Sequence, residues 1–560
     1  MSDRIDRRSF LARGAATGVG IAAIGSAGGL LDACSSSSTS SSSTGSTGTH
    51  PNGVTTATPK TGGQLIFGVD AEEKGFSTTQ GTFDEVGILY ARTVFDPLMI
   101  VAADGTPQPY LAESVTHNAD YSVWTITLRP NLVFHDGSPC DSAALEANFT
   151  LQKASGLTGP VLTNVDSTSV VNNLTIQVTM KTSWVPFDYY LCGGIGGQVA
   201  FVAEPKWLST GSQTNPIGTG PFVFQEWIPN DHFTATKNPH YWRAGLPYLD
   251  SITYKPIPDP DQLLATLQSG GVDIMHTDTA DVILTLRGDT SLGYIDDSTK
   301  VAGEPDMGCL LLNLSKPPFN NLKLRQAAAY AISSEQYVAV IDHGVNPTSN
   351  GPFTSTSPYY VADNGFPQYD PAKAKQLVAE VAQETGAPVT VSLNHTPDSN
   401  TTKLAEFLQQ SLEQAGMTVT LSPVEQASII STALLGTFEA QTWRQFGAVD
   451  PDLNYIFWSP TNATTPGFAI NMARNTDPRM EVALQQGRQS TSQSERVAAY
   501  QQVSKLMGQD IPYVWYDRTV WAIGAQPKVQ NFANPTTPAG GAAFAFIGGA
   551  IWPTQIWLDS

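Results

Sequence analysis

Hydrophobic and polar positions along this chain switch repeatedly between two periods, and the switching outlines an α/β protein. Gln64-Leu65-Ile66-Phe67-Gly68-Val69 is short, apolar and β-branched, the pattern of a buried strand opening the folded part near Gly62-Gly63. From Phe83 to Met99 the spacing is helical. Val86, Leu89, Tyr90, Val94 and Phe95 fall on one side, and Pro97 ends the run. Residues 121–135 alternate, with Trp124, Ile126 and Leu128 opposed to Thr125, Thr127 and Arg129. A turn at Pro130-Asn131 and the return Leu132-Val133-Phe134 predict a hairpin. Asp141 or Ser142 caps a helix that reaches Gln152. More strands are predicted at 174–178, after the glycine turn in 215–228, and at 248–257. A short helix over 261–269 ends at Gly270-Gly271.

A second block opens on the buried run Gly308-Cys309-Leu310-Leu311-Leu312-Asn313. Helical periods cover 324–332, 337–341, 371–386, 402–415 and most of 479–508. Strands at 389–393 and 419–421 alternate with them, and Tyr513 to Ile523 reads as a final apolar strand.

The first 61 residues follow a different logic. Arg7-Arg8-Ser9-Phe10-Leu11 precedes a mildly apolar, glycine-interrupted stretch that ends in Leu31-Asp32-Ala33-Cys34. Arg7 and Arg8 match a twin-arginine export signal. Leu-x-Ala-Cys resembles a lipobox, in which Cys34 takes a lipid; the other reading is a plain cleaved signal. Residues 35–49 are almost wholly Ser, Thr and Gly, a composition that cannot bury apolar area and acts as a tether. The expected division is a signal at 1–34 and a tether at 35–61.

Composition narrows the function. The formal net charge is -20, and an acidic surface repels nucleic acid and anionic lipid. The four cysteines are Cys34, Cys140, Cys192 and Cys309, with no Cys-x-x-Cys pair. Either Cys140 and Cys192 form a disulfide or all three remaining thiols are buried and free. There is no phosphate loop, no His-Glu-x-x-His helix and no Gly-x-Ser-x-Gly elbow. Gly193 to Gly197 follows no clean strand and reads as a loop. No metal or cofactor is therefore expected, and no enzyme, with an envelope hydrolase built from residues distant in sequence as the alternative.

Five segments in order carry a resemblance. They are Trp124-Thr-Ile-Thr-Leu-Arg-Pro-Asn-Leu-Val-Phe-His-Asp-Gly-Ser-Pro139, Gly218-Thr-Gly-Pro-Phe-Val-Phe-Gln-Glu-Trp227, Leu267-Gln-Ser-Gly-Gly-Val-Asp-Ile274, Leu312 to Ile332, and the Asp450-Pro451 segment. Together they resemble the family-5 extracellular solute-binding proteins of ABC importers over roughly residues 62–525. The resemblance implies a two-lobe periplasmic-binding-protein-like α/β fold of type II, with an additional domain inserted in the first lobe. On this chain lobe I would comprise 62–100, 215–306 and 520–560. The inserted domain would be 101–214 and lobe II 307–519, with crossings near Pro305–Leu310 and Tyr513–Val520. It further implies a monomer, lipid-anchored outside the membrane, that closes on a small solute and presents it to ABC permease subunits. The solute would be a short peptide, or else an oligosaccharide, an opine-like molecule or a metal chelate.

In the peptide binders a loop corresponding to Gln441–Pro451 offers an aromatic platform and an aspartate that pairs with the peptide's amino group. Phe446 and Asp450 are the nearest matches, although Asp450 before proline also suits a turn. Trp443, Tyr455 and Trp458 either line the cleft or fill the core. Arg444 either pairs with a solute carboxylate or is solvated. Trp515 and Tyr516 sit at the second crossing, where family members place ligand-facing aromatics.

Overall fold

Three sheets organise the chain in a computed structural model that describes residues 53–194, 197–298 and 303–559. Arg7, Arg8, Cys34 and the serine-rich stretch lie outside the described residues. Within residues 53–61, expected to belong to a tether, Gly53 and Lys60 touch the C-terminal segment while most of the stretch is exposed. Lys60 is ion-paired with Asp559, and Gly53 packs so closely on Phe532 that a Cβ there would sit 2.6 Å from the ring.

The first sheet has seven strands. Its centre is Gln64–Val69, parallel to both Ser251–Pro256 and Ile274–Thr277. His232–Lys237 and Phe222–Ile228 extend one side, and Ala522–Ala525 and Gly293–Asp296 the other, all antiparallel. Lobe I is the unit around this sheet. Its first helix, Glu85–Val94, is shorter than the spacing suggested. The Asp84 carboxylate accepts from the Val86 and Gly87 amides and starts the helix there, while Phe95 is already extended. The freed residues Met99–Val101 pair with Pro107–Pro109 as a small ribbon.

The end of that helix explains the glycines of Gly218-Thr219-Gly220. A Cβ at Gly218 would meet the Val94 carbonyl oxygen at 2.2 Å, and one at Gly220 would meet the Val94 carbonyl carbon at 2.4 Å. Only glycine allows this segment to cross the helix terminus so closely. Gly220 N then donates to the Val94 carbonyl at 2.9 Å.

The second sheet has five strands in the order Thr418–Pro423, Thr390–His395, Ala440–Gln445, Met307–Leu312, Tyr513–Trp515. Helices Leu322–Ala331, Pro371–Thr385, Ser399–Gln414 and Gln493–Asp510 belong to this lobe II. The apolar run from Tyr513 to Ile523, read as one strand, is two. Tyr513–Trp515 pairs with Met307–Leu312 in lobe II, and Ala522–Ala525 enters the lobe I sheet. Between them Asp517, Arg518 and Thr519 are buried polar residues engaged with the other crossing and its surroundings. Asp517 Oδ1 accepts from the Gly308 amide, and Thr519 N donates to the Asp306 carbonyl. The chain passes between the two sheets twice, from Asp296 to Met307 and from Trp515 to Ala522.

The third sheet is antiparallel, in the order Ala112–His117, Val123–Leu128, Thr175–Met180, Val165–Asn172. The predicted hairpin after Trp124 does not form. Strand Val123–Leu128 pairs with Ala112–His117 and Thr175–Met180 on its two edges, so no edge is left for a return. Val133 bridges Pro139 instead. Alternation was read correctly, however, because Trp124, Ile126 and Leu128 are buried. Asp141 caps helix Ser142–Ala154 as expected. Cys140, Cys192 and Cys309 are buried free thiols, so the disulfide alternative is set aside.

One apolar cluster runs through the third sheet into lobe II, and a second fills lobe I. A buried ion pair stitches the first. Arg488 Nε donates to both oxygens of Asp452 at 3.0 Å, and Trp184 Nε1 donates to Asp452 Oδ2 at 2.8 Å. The guanidinium lies 3.6 Å from the Tyr455 ring centroid and 4.6 Å from that of Trp184. Removing one partner of such a pair leaves the other charged and buried. Arg488→Leu is expected to cost roughly 3–5 kcal/mol in urea-induced unfolding; a loss below about 1 kcal/mol would mean that water reaches the pair.

Candidate functional site

Three pieces of chain meet where the lobes face each other. The first turn of helix Glu85–Val94 brings Asp84 and Glu85. The end of strand Ile274–Thr277 leads into Asp278. From lobe II, strand Ala440–Gln445 brings Thr442, Trp443 and Arg444. They line a cavity of about 180 Å³, with Tyr337, Asp342, Tyr516 and Asp517 among its other lining residues. An adjoining apolar space of about 80 Å³ shares Asp84, Trp443 and Phe446.

Arg444 is the centre of the charge arrangement. Its Nη1 donates to Asp278 Oδ2 across the two lobes. Its Nη2 lies 3.6 Å from Glu85 Oε2, and its Nε 3.8 Å from Asp306 Oδ2. The guanidinium also stacks 4.5 Å from the ring centroid of Trp521. Asp306 is held by donors from both sides: Gly447 N at 2.5 Å and Trp521 Nε1 at 2.9 Å. Behind it, buried His276 pairs with Asp70 at 3.0 Å.

Burial acts on Arg444 and on the carboxyls of Asp278, Asp84 and Glu85. It alone would lower the Arg444 pKa, but Asp278, Glu85, Asp306 and Asp70 outweigh it and hold the guanidinium charged. Burial raises Asp278 and Asp84, and raises Glu85 well above the ordinary carboxylate range. Asp342 is pushed up to about 9, by burial first and by neighbouring Asp517 second. Burial raises Asp517 as well, but only to about 6, because Asn346, Asp342 and the Gly308 amide donate to it. At neutral pH, Asp342 therefore keeps its proton beside an ionised Asp517, as like charges in one buried space require.

The structure brings together four of the side chains singled out from sequence: Trp443, Arg444, Phe446 and Tyr516. Trp515 faces a separate cavity of about 710 Å³ beside the crossings, with Pro305, Phe353 and Arg518. Asp450 is committed elsewhere. Its Oδ1 accepts from Asp452 N at 2.9 Å, and its Oδ2 pairs with Arg496 at 2.6 Å. It starts the short helix Pro451–Asn454, the turn role that its place before proline suggested, and it lines neither cleft cavity. Tyr455 donates to Glu481 at 2.6 Å, and Trp458 is fully buried. Arg444 is partly exposed, its side chain 26% accessible, but it is paired within the protein rather than left to solvent alone. Sequence reading missed Glu85, Asp278, Asp342 and Asp517. Asp84-Glu85 at the head of a predicted helix was the one local signal, and it reads equally as a helix cap.

The sequence pattern of the bacterial extracellular solute-binding proteins, family 5 (middle), matches residues 106–468. The chain belongs to this family. Its members are solute-binding proteins of ABC importers rather than enzymes. The glutathione-binding protein GsiB of Pectobacterium atrosepticum is 27% identical over 421 residues, covering 72% of this chain and 79% of that protein. The nickel-binding periplasmic protein of Escherichia coli is 25% identical, covering 78% and 86%. The ABC transporter-associated periplasmic binding protein DppA of Helicobacter pylori, solved with peptide STSA, superposes with a TM-score of 0.77 at 22% identity, covering 90% and 99%. That likeness shows the two-lobe fold. No described helix is long and apolar enough to cross a membrane.

The carboxyl pair makes stability depend on pH. Between its ordinary value, about 4, and about 9, folded Asp342 holds a proton that the unfolded chain has released. Stability is therefore lost as pH rises through that window. Asp342→Asn is expected to shrink the fall in Tm between about pH 5 and pH 8 seen in the parent protein. An unchanged fall in differential scanning fluorimetry would refute the assignment.

Proposed function

We propose that this chain captures a short peptide between its two lobes and delivers it, by hinge closure, to an ABC importer. The observation that carries the reading is the Arg444 bridge to Asp278 and Glu85. It places charged groups of lobe II against charged groups of lobe I in a cavity walled by Trp443, Tyr337 and Tyr516. Such a site contacts both lobes at once, and a solute drives closure only if it binds both better when they are shut. Peptides fit this mixture of charge, aromatic faces and hydrogen-bonding groups. The DppA structure holds a peptide, and glutathione, bound by GsiB, is itself a tripeptide. The described parts of the two crossings, 303–307 and Trp515 to Ala522, would serve as the hinge.

Titration with a mixed library of two- to five-residue peptides is the test. A peptide at a hundredfold its Kd should stabilise the protein by ~2.7 kcal/mol and contract its small-angle scattering envelope. Stabilisation by no peptide pool would remove the peptide reading.

We also propose that the protein works as a monomer tethered outside the membrane through lipidated Cys34, exported by the Arg7-Arg8 signal. Two acyl chains, at ~0.8 kcal/mol per buried methylene, would hold it firmly. Cys34→Ser is expected to move the protein from the membrane fraction to the soluble exported fraction. Retention of the variant in membranes would refute the anchor.

A further inference from the structure

The cleft holds more buried and half-buried acid than its own cation can answer. Asp84, Glu85, Asp278, Asp342 and Asp517 line it, and among the described lining residues Arg444 is the one Lys or Arg. Asp70 and Asp306 stand close behind. Arg444 satisfies Asp278 directly but reaches Glu85 only at 3.6 Å, too far for a hydrogen bond. Glu85 is 6% exposed, and its other oxygen, Oε1, is buried with no hydrogen-bond partner. Buried acceptors in native proteins are normally given a donor, so an orphaned carboxylate oxygen in a ligand cleft marks where a donor from the solute belongs. On the opposite lobe the buried Trp443 Nε1 lacks an acceptor. Arg444 Nε is likewise buried without a hydrogen bond.

These facts give Arg444 a particular meaning. A long side chain from lobe II lies across the cleft on lobe I carboxylates, occupying the ground that a solute's cationic group would take. The space left beside it, about 180 Å³, is below the ~300–1,000 Å³ usual for ligand pockets. Moving that side chain off Asp278 both enlarges the cavity and leaves acid unpaired, and unpaired buried acid is costly until a cation replaces the one that left.

We propose that the cleft selects solutes bearing an ammonium or guanidinium group other than a peptide's α-amino group, which displaces Arg444 from Asp278 and donates to the free oxygen of Glu85. Arg444 is thus a built-in competitor for the cationic part of the cargo. The inference rests on the capture reading above and adds its charge selectivity. Burial supports it: the raised Glu85 and Asp278 carboxyls become better partners once a cation arrives to stabilise their ionised form.

Isothermal titration with the full mature chain tests this. One series holds alanyl-lysyl-alanine, alanyl-leucyl-alanine and alanyl-glutamyl-alanine; the other holds free arginine and putrescine. The lysyl peptide is expected to bind at least about tenfold more tightly than the leucyl one, and the glutamyl peptide more weakly still. Asp278→Asn should bring the lysyl peptide down to the leucyl level. Arg444→Met should bind the lysyl peptide more tightly than the parent, because the competitor is gone. Weaker binding by that variant would instead make Arg444 a contact for the solute and overturn the displacement. If Arg444→Met does not fold, Asp278→Asn and the two series decide. Equal binding of all three tripeptides would defeat charge selection and leave peptide capture standing. Binding of arginine or putrescine but of no tripeptide would uphold charge selection and defeat the peptide reading. Binding of nothing in either series would defeat both.

Discussion

A charge removed from water must meet an opposite charge or give itself up, and that constraint governs the space between the two lobes. Asp278, Glu85 and Asp306 approach from lobe I and the first crossing, and Arg444 answers them from lobe II. Where no cation is at hand the acid keeps its proton, as Asp342 does beside Asp517. At Arg444 the contact between the lobes is therefore an electrostatic arrangement. Such a contact suits parts that must separate, since water can replace each of its partners.

The apolar adhesion lies elsewhere. Below the cleft the third sheet shares a continuous core with lobe II, fastened by Arg488 and Asp452 between Trp184 and Tyr455. Lobe I has its own core under the seven-stranded sheet. Side chains of the crossings tie the two. Asp306 accepts from Gly447 and Trp521, while Asp517 accepts from Gly308 and Asn346. The residues that hold the crossings in register are thus neighbours in sequence of those that line the cleft, so movement at one is felt at the other.

The chain's own order of residues determined a good deal. Alternation picked out Trp124, Ile126 and Leu128 as a buried face, Asp141 announced a helix start, and the glycines of 218–220 marked a turn leading into a strand. Five short motifs in order sufficed for the family. These are local or nearly local facts, set by side-chain period, by caps and by the absence of a Cβ, and they survive any arrangement of the lobes. Tertiary structure decided the rest. It alone showed that the run from Tyr513 to Ile523 divides between two sheets, because a β period does not say which neighbour a strand will find. It alone moved Asp450 from the cleft to Arg496, and put Glu85, Asp278 and Arg444 together from positions nearly 360 residues apart. Pairing of charge depends on distance in space and on exclusion of water, and neither quantity is written along a chain.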